Sequence, residues 1–189
     1  MIRSLRLFVL IALALTLAAC QTKPATTEAR SDLRVSADRA VAEARAADPS
    51  LSRFFSNSKG YAVFPGIGKG GLIVGGAYGR GILYESGRPT SYCDMTQGTV
   101  GGQIGGQKYT EIIFFETSEA VEKFKSGNFA LTAQATAVAV KSGAGANADY
   151  SDGVAVFTMG EKGLMAEAVV GGQKFSVRPM HEETASATY

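Results

Sequence analysis

The sequence predicts an α+β fold in which N-terminal helices pack on a twisted, mostly antiparallel, glycine-rich β-sheet with internally repeated hairpins. Three observations carry that expectation. An alanine-rich stretch with interleaved charges runs from Glu28 to Ala47, a second short helical segment reaches residue 58, and glycine-punctuated apolar runs follow. Residues 60 to 83, GYAVFPGIGKGGLIVGGAYGRGIL, hold too much glycine for a helix and read as short strands joined by tight turns. The pattern then returns: Gly60 to Phe64 is echoed by Gly153 to Phe157 and Lys69-Gly70 by Lys162-Gly163 at one constant offset, and Val100 to Gln103 is matched separately by Val170 to Gln173. Two copies so far apart indicate a duplicated hairpin unit and not a solenoid.

Each element follows from local chemistry. From Glu28 to Ala47 the stripe Leu33, Ala37, Ala40, Val41 and Ala44 is narrow, and Arg34/Asp38 and Arg39/Glu43 are helix-spaced opposite charges. Asp48-Pro49 supplies a cap and a first-turn proline for a second short helix. There Leu51, Phe54 and Phe55 share a side, for core packing in preference to a membrane-surface role beside Arg53. Strands are expected at Tyr61 to Phe64, Gly71 to Ala77, Gly81 to Glu85, Thr99 to Gln107 and Tyr109 to Glu116, with a turn at Ser86 to Pro89. Thr117 caps a helix running to about Lys125. Residues Phe129 to Lys141 alternate with period two and predict one long strand, and Gly143 to Gly153 predict a loop. Strands at Val154 to Met159, Leu164 to Val170 and Gln173 to Val177 complete the sheet.

The N-terminus carries a different signal. Arg3 and Arg6 precede an apolar run, Leu7 to Leu17, that is short for a membrane span, and Leu17-Ala18-Ala19-Cys20 resembles the lipobox of bacterial lipoproteins. The expected organisation is a signal peptide over 1–19, a lipidated tether over 20–27, a domain over 28–178 (28–58 helical, 60–178 mainly β) and a tail over 179–189. Acyl chains on Cys20 would anchor the chain in a bacterial envelope, and Gln21 favours the outer membrane, facing the periplasm. Loss of Arg3 and Arg6 leaves 17 basic and 17 acidic residues, so a nucleic-acid partner loses its electrostatic support. With Cys20 acylated, Cys93 has no partner for a disulfide and reads as a small buried residue.

Motifs for chemistry are weak. Gly66-Ile67-Gly68-Lys69-Gly70-Gly71 fits G-x-G-x-x-G but leads into Leu72-Ile73-Val74, a strand pattern that offers no helix N-terminus to a pyrophosphate. A single histidine, His181, supports neither a metal site nor a nucleophilic triad. No catalytic residue, metal or cofactor is therefore expected. Lys69, Arg80, Lys108 and Lys162, each beside glycine or a glycine pair, are the candidate anion contacts, on the expectation that they sit in turns with free main-chain N–H groups.

Taken in order, Ala62 to Pro65, Lys69 to Gly71, Gly75-Gly76, Gly79 to Gly81, Gly98 to Gln107, and Gly153 to Phe157 through Gly171 to Phe175 resemble the SYLF domain, in particular its bacterial lipoprotein branch. The likeness covers roughly 29 to 177. It departs from the eukaryotic pattern in having no tryptophan, Tyr92 included, and in the lipid anchor. The resemblance implies binding of anionic membrane lipid, here phospholipid or lipid A, through those four basic residues. An envelope structural or protein–protein interaction module is the alternative. A β pore built on Phe129 to Val140 conflicts with the intervening helices.

Overall fold

Thr26 accepts a hydrogen bond from the Ala29 amide and starts helix α1, Thr27–Ala47, which buries its small residues Ala37, Ala40 and Ala44. Their size lets the helix lie close to a sheet. A 3-10 turn, Pro49–Leu51, and helix α2, Ser52–Asn57, follow. The computed structural model describes residues 26–71, 74–100, 107–127, 129–131, 137–160 and 172–180. Eight strands form one sheet: β1 Gly60–Gly71, β2 Val74–Glu85, β3 Arg88–Val100, β4 Gln107–Phe115, β5 Ala130–Leu131, β6 Ala137–Ala139, β7 Val154–Gly160 and β8 Gln173–Pro179. Helix α3, Ser118–Lys125, capped by Thr117, and a short helix α4, Ala144–Asn147, complete the described elements.

The strand order is β5-β8-β3-β2-β1-β4-β7-β6, antiparallel throughout except for the parallel pair β6/β7. The expected α+β architecture is the observed one. Both faces of the sheet are buried, so its central strands carry apolar residues at odd and even positions alike. One face packs Tyr61, Val63, Ile82, Ile112, Phe114 and Phe157 under α1 and α2. The other packs Phe64, Ile67, Leu83, Met95, Ile113, Phe115 and Phe175 with Val121 and Phe124 of α3. Phe54 is buried against Phe114 and Phe157, Arg45 lies over the Phe55 ring at 4.0 Å, and Arg53 bonds to the Gly145 and Ala148 carbonyls. Core packing, and not a membrane face, accounts for that helix.

Several expected elements change on folding. Residues Phe129 to Lys141 are not one strand: β5 pairs with β8 at one edge of the sheet and β6 with β7 at the other. Eight flat strands would span about 34 Å at ~4.8 Å spacing. The six residue steps from Leu131 to Ala137 reach at most about 21 Å, so the sheet must curl until its edges approach each other. The second face is therefore concave, and the contact of Phe64 on β1 with Phe175 on β8, centroids 5.7 Å apart, lies inside it. The loop expected after Gly143 contains α4. Residues 161–171 and 181–189, which hold the expected strand at Leu164 to Val170 and most of the tail, lie outside the described residues, as do 1–25 with Cys20.

The two first strands of the sequence echo differ in register, and the second strand of its later copy lies outside the described residues. Strands β1 and β7 flank β4 on either side, but Tyr61 and Ala155 both face Phe114, a slip of one residue between the two copies. A one-residue slip reverses every side chain. Phe64 therefore enters the concave core, and its counterpart Phe157 enters the helix-side core.

A bulge in β1 sets the rest. Phe64 and Pro65 oppose the single Gly81 of β2, and Pro65 and Gly66 oppose Thr110 of β4, whose hydroxyl donates to the Pro65 carbonyl at 3.0 Å. Proline has no N–H to lose there. A Cβ on Gly81 would stand 2.5 Å from the Val63 carbonyl oxygen and 2.6 Å from a Phe64 ring carbon. Gly81→Ala should consequently destabilise the fold by about 1–3 kcal/mol, measured by denaturant unfolding.

Asp48 is the other local brace. Its carboxylate, sealed from solvent but shallow, accepts from the Ser50 amide and hydroxyl and from the Gly143 and Gly145 amides, tying the end of α1 to α4. Burial alone would raise its pKa; the bonds from Ser50, Gly145 and Gly143 outweigh that and hold it below 3.8. Its contribution is present above the unfolded value and is lost as pH falls through the lower folded one. Asp48→Ala should cost about 2 kcal/mol or more at neutral pH, since two buried amides lose an ionised acceptor, and should flatten the acid limb of stability against pH.

Candidate functional site

The structure separates the expected anion contacts. Lys69, Arg80 and Lys108 lie within β1, β2 and β4, not in turns, so their neighbouring amides belong to strands of the sheet. Side-chain parity places them on different faces. Lys108 and Arg80 alternate with the helix-side residues Ile112 and Ile82, whereas Lys69 follows Ile67 on the concave side. Lys162 lies outside the described residues.

Arg80 is already engaged. Its Nε donates to the Tyr78 hydroxyl at 2.9 Å and stands 3.7 Å from Asp94, the residue opposite it on β3; Tyr78 in turn donates to Asp94 at 3.0 Å. An exposed pair of this kind contributes little stability, but it offsets the cation.

Lys108 has a different setting. It projects at the rim of a cleft of about 290 Å³ between α1 and the sheet, lined by Ser36, Arg39, Ala40 and Glu43 from the helix, Pro65, Tyr109, Thr110, Met159 and Gly160 from the strands, and Lys108 itself. The lysine stem crosses Gly66, where a Cβ would stand 3.0 Å from its Cε. Arg39 is the functional candidate that sequence reasoning missed. Its spacing to Glu43 marks an ordinary helix pair, and only the docking of α1 brings it to Lys108. Two cations and the Ser36 hydroxyl, beside one carboxylate, suit a small anionic group with further oxygen atoms, while the Thr110 hydrogen is already given to the Pro65 carbonyl.

The concave face carries a second polar group of residues that the sequence did not single out. Glu111 on β4 is fully buried and accepts from Gln173 Nε2 on β8 at 3.0 Å, across three intervening strands of the sheet order. Burial pushes its carboxyl up to about 7, with the Gln173 bond working in the opposite direction. Cys93 is buried on the same face and its thiol is pushed up by burial, so it is an inert core residue. Among the described residues no group of three or more His, Cys, Asp and Glu residues is placed to hold a metal, and no helix is long and apolar enough to cross a membrane, which says nothing of strands.

Residues 96–185 match the family described as Ysc84, Las17-binding protein actin regulator. The chain carries a Ysc84/SYLF domain. It is also 31% identical over 160 residues to Beta cell expansion factor A of Aeromonas veronii, an alignment covering 84% of this chain and 60% of that protein. The chain thus spans about 60% of the length of the curated relative it matches. The family match begins within β3, so α1 with Arg39 lies ahead of it, whereas Lys108, Glu111 and Gln173 fall inside it.

The contrast between two glycines checks the site geometry. Gly66→Ala should change stability by less than about 1 kcal/mol, because only the flexible Lys108 stem must move, in contrast to the backbone clash at Gly81. Equilibrium unfolding of both variants measures the difference.

Proposed function

We propose that this SYLF-domain protein is a non-catalytic binder of anionic lipid headgroups in a bacterial envelope, held at the membrane by acyl chains on Cys20. The observation that carries the reading is the Arg39–Lys108 cleft, which offers two cations and the Ser36 hydroxyl to a phosphate-sized group. Arg39 and Lys108 are the principal contacts. Lys69, Arg80 and Lys162 from the sequence reading are auxiliary, Arg80 because Asp94 offsets it and Lys69 because it faces the other side of the sheet. Anionic phospholipid and lipid A both present the required phosphate. An outer-membrane position facing the periplasm follows from the lipobox-like run and Gln21. A tethered domain needs only weak affinity for the bilayer, because the anchor sets a high local concentration.

The second reading, an envelope protein-interaction module, draws on the family's own description, which names a protein partner, Las17. Glycines 68, 70 and 98 have open space where a Cβ would project, giving a flat, side-chain-poor sheet surface beside the exposed Tyr78. Backbone-rich surfaces of that kind suit protein docking.

Co-sedimentation of a Cys20→Ala chain with neutral and with anionic vesicles, at low and high salt, tests the first reading. Attraction of about 1 kcal/mol per basic residue near a charged surface predicts a several-fold loss for Lys108→Ala or Arg39→Ala, a larger loss for the pair, and a smaller one for Lys69→Ala. Folded double variants that bind anionic vesicles as wild type does would exclude the cleft. In the native chain, mass spectrometry should find acylated Cys20, and an unmodified cysteine there would remove the anchor.

A further inference from the structure

Glu111 and Gln173, with Thr158 beside them, form a buried polar set in which an oxygen of each side chain is left without a partner. Glu111 and Gln173 are wholly inaccessible to solvent and Thr158 nearly so. Thr158 is the direct cross-strand partner of Glu111 on β7. Gln173 Nε2 donates to Glu111 Oε2, and the Gln173 side chain also bonds the Tyr109 hydroxyl. Glu111 Oε1, Gln173 Oε1 and Thr158 Oγ1 have no partner.

The titratable and charged residues that share this face are few among the described residues. Tyr109 is beside Glu111 on β4, and its hydroxyl is raised first by burial and then by Glu111. Lys69 lies further along β1, opposite Gln107, and Cys93 sits on β3. The faces of β7 and β8 present Thr158, Val156, Gln173 and Phe175, and β5 and β6 present Leu131 and Ala137. No cation from these elements contributes to the Glu111 environment, in which only burial and the Gln173 bond act. An ionised Glu111 would be a buried charge with one hydrogen bond, a costly arrangement.

We propose that Glu111 is a proton-operated clasp: as a neutral acid it donates from Oε1 to Gln173 Oε1 while accepting from Gln173 Nε2, and its ionisation loosens β8 from β4 across the concave face. The proton leaves to solvent as pH rises. The chemistry follows from the two orphaned oxygens, because one proton on Glu111 Oε1 makes that oxygen a donor and Gln173 Oε1 its acceptor. Burial holding the carboxyl near 7, against 4.5 for a free group, agrees with it. The sign is set by linkage. Below 4.5 folded and unfolded chains both hold the proton; between 4.5 and about 7 only the folded chain does, so stability falls as pH rises through that window and levels off above it.

The test compares the full chain with Glu111→Gln, whose amide supplies the missing donor at every pH. Wild type should lose thermal midpoint between pH 5 and pH 8 relative to Glu111→Gln, which should be the more stable protein at pH 8. The difference between the two isolates Glu111, since every other titratable group is common to both. Infrared spectroscopy should show a protonated-carboxyl band at pH 6 that is absent in Glu111→Gln and disappears from wild type by pH 9. Gln173→Leu removes both bonds of the clasp, so in that variant ionisation of Glu111 should no longer change the protection of β8. After correction for intrinsic rates, amide exchange in Gln173–Pro179 should quicken with pH in wild type alone. Absence of the band at pH 6, equal pH slopes in wild type and Glu111→Gln, or the same quickening of β8 exchange with pH in Gln173→Leu would each overturn the clasp. If Glu111→Gln fails to fold, the wild-type band and the comparison of β8 exchange with Gln173→Leu decide.

Discussion

The bulge at Pro65 and Gly66 decides which side of the sheet every later residue of β1 occupies. By inserting an extra residue against both neighbours it lets Phe64 and Ile67, three positions apart, enter the same concave core. Without it Ile67 would point toward the helix side and Lys69 would join Lys108 and Arg80 there. Glycines at 79 and 81 make room: a Cβ on Gly79 would come within 2.6 Å of Ile67, and one on Gly81 within 2.6 Å of Phe64. The glycine-rich stretch is thus used first for close backbone approach in a doubly buried strand, and not chiefly for turns.

Curvature is the second consequence of packing two cores on one sheet. Helix α1 covers the convex side with alanines and is pinned there by the Tyr84 hydroxyl donating to Asp38 at 2.7 Å. The concave side closes around phenylalanines 64, 115, 124, 129 and 175, whose rings meet edge-on or tilted. A hydrogen bond between β4 and β8 is possible only in a sheet this strongly curled. Glu111 and Gln173 therefore report on curvature in a way that no neighbouring-strand pair does.

Local chemistry was legible in the sequence, and tertiary parity was not. The caps at Thr117 and Asp48, the helix stripe and the Ser86-Gly87 reversal depend on residues within a few positions, and they form where the residue types require; Ser86 and Gly87 both adopt positive φ, as a two-residue hairpin turn needs. Phe129 to Lys141 misled because period two identifies extended chain but says nothing about which edge it joins. The echo of Gly60 to Phe64 misled because a one-residue slip is invisible in a matching string. Lys69 and Arg80 looked equivalent because the bulge ahead of Lys69 has no signature beyond Pro65. Glu111 passed as one polar residue in an Ile- and Phe-rich strand, since its partner lies 62 positions away.

Strand β4 brings the two candidate sites within four residues of each other and keeps them apart. Lys108 and Thr110 project to the cleft under α1, and Tyr109 and Glu111 to the concave core, with the sheet itself between them. Alternation alone thus separates a solvent-facing cationic site from a dry titratable one. An anion approaching the cleft meets Arg39 and Lys108 in high dielectric, where added salt screens it. The proton on Glu111 is set by desolvation and a single amide, which salt scarcely affects. Salt dependence belongs to one face of β4 and pH dependence between 4.5 and about 7 to the other, so an effect that responds to both would have to pass through the backbone of this one strand.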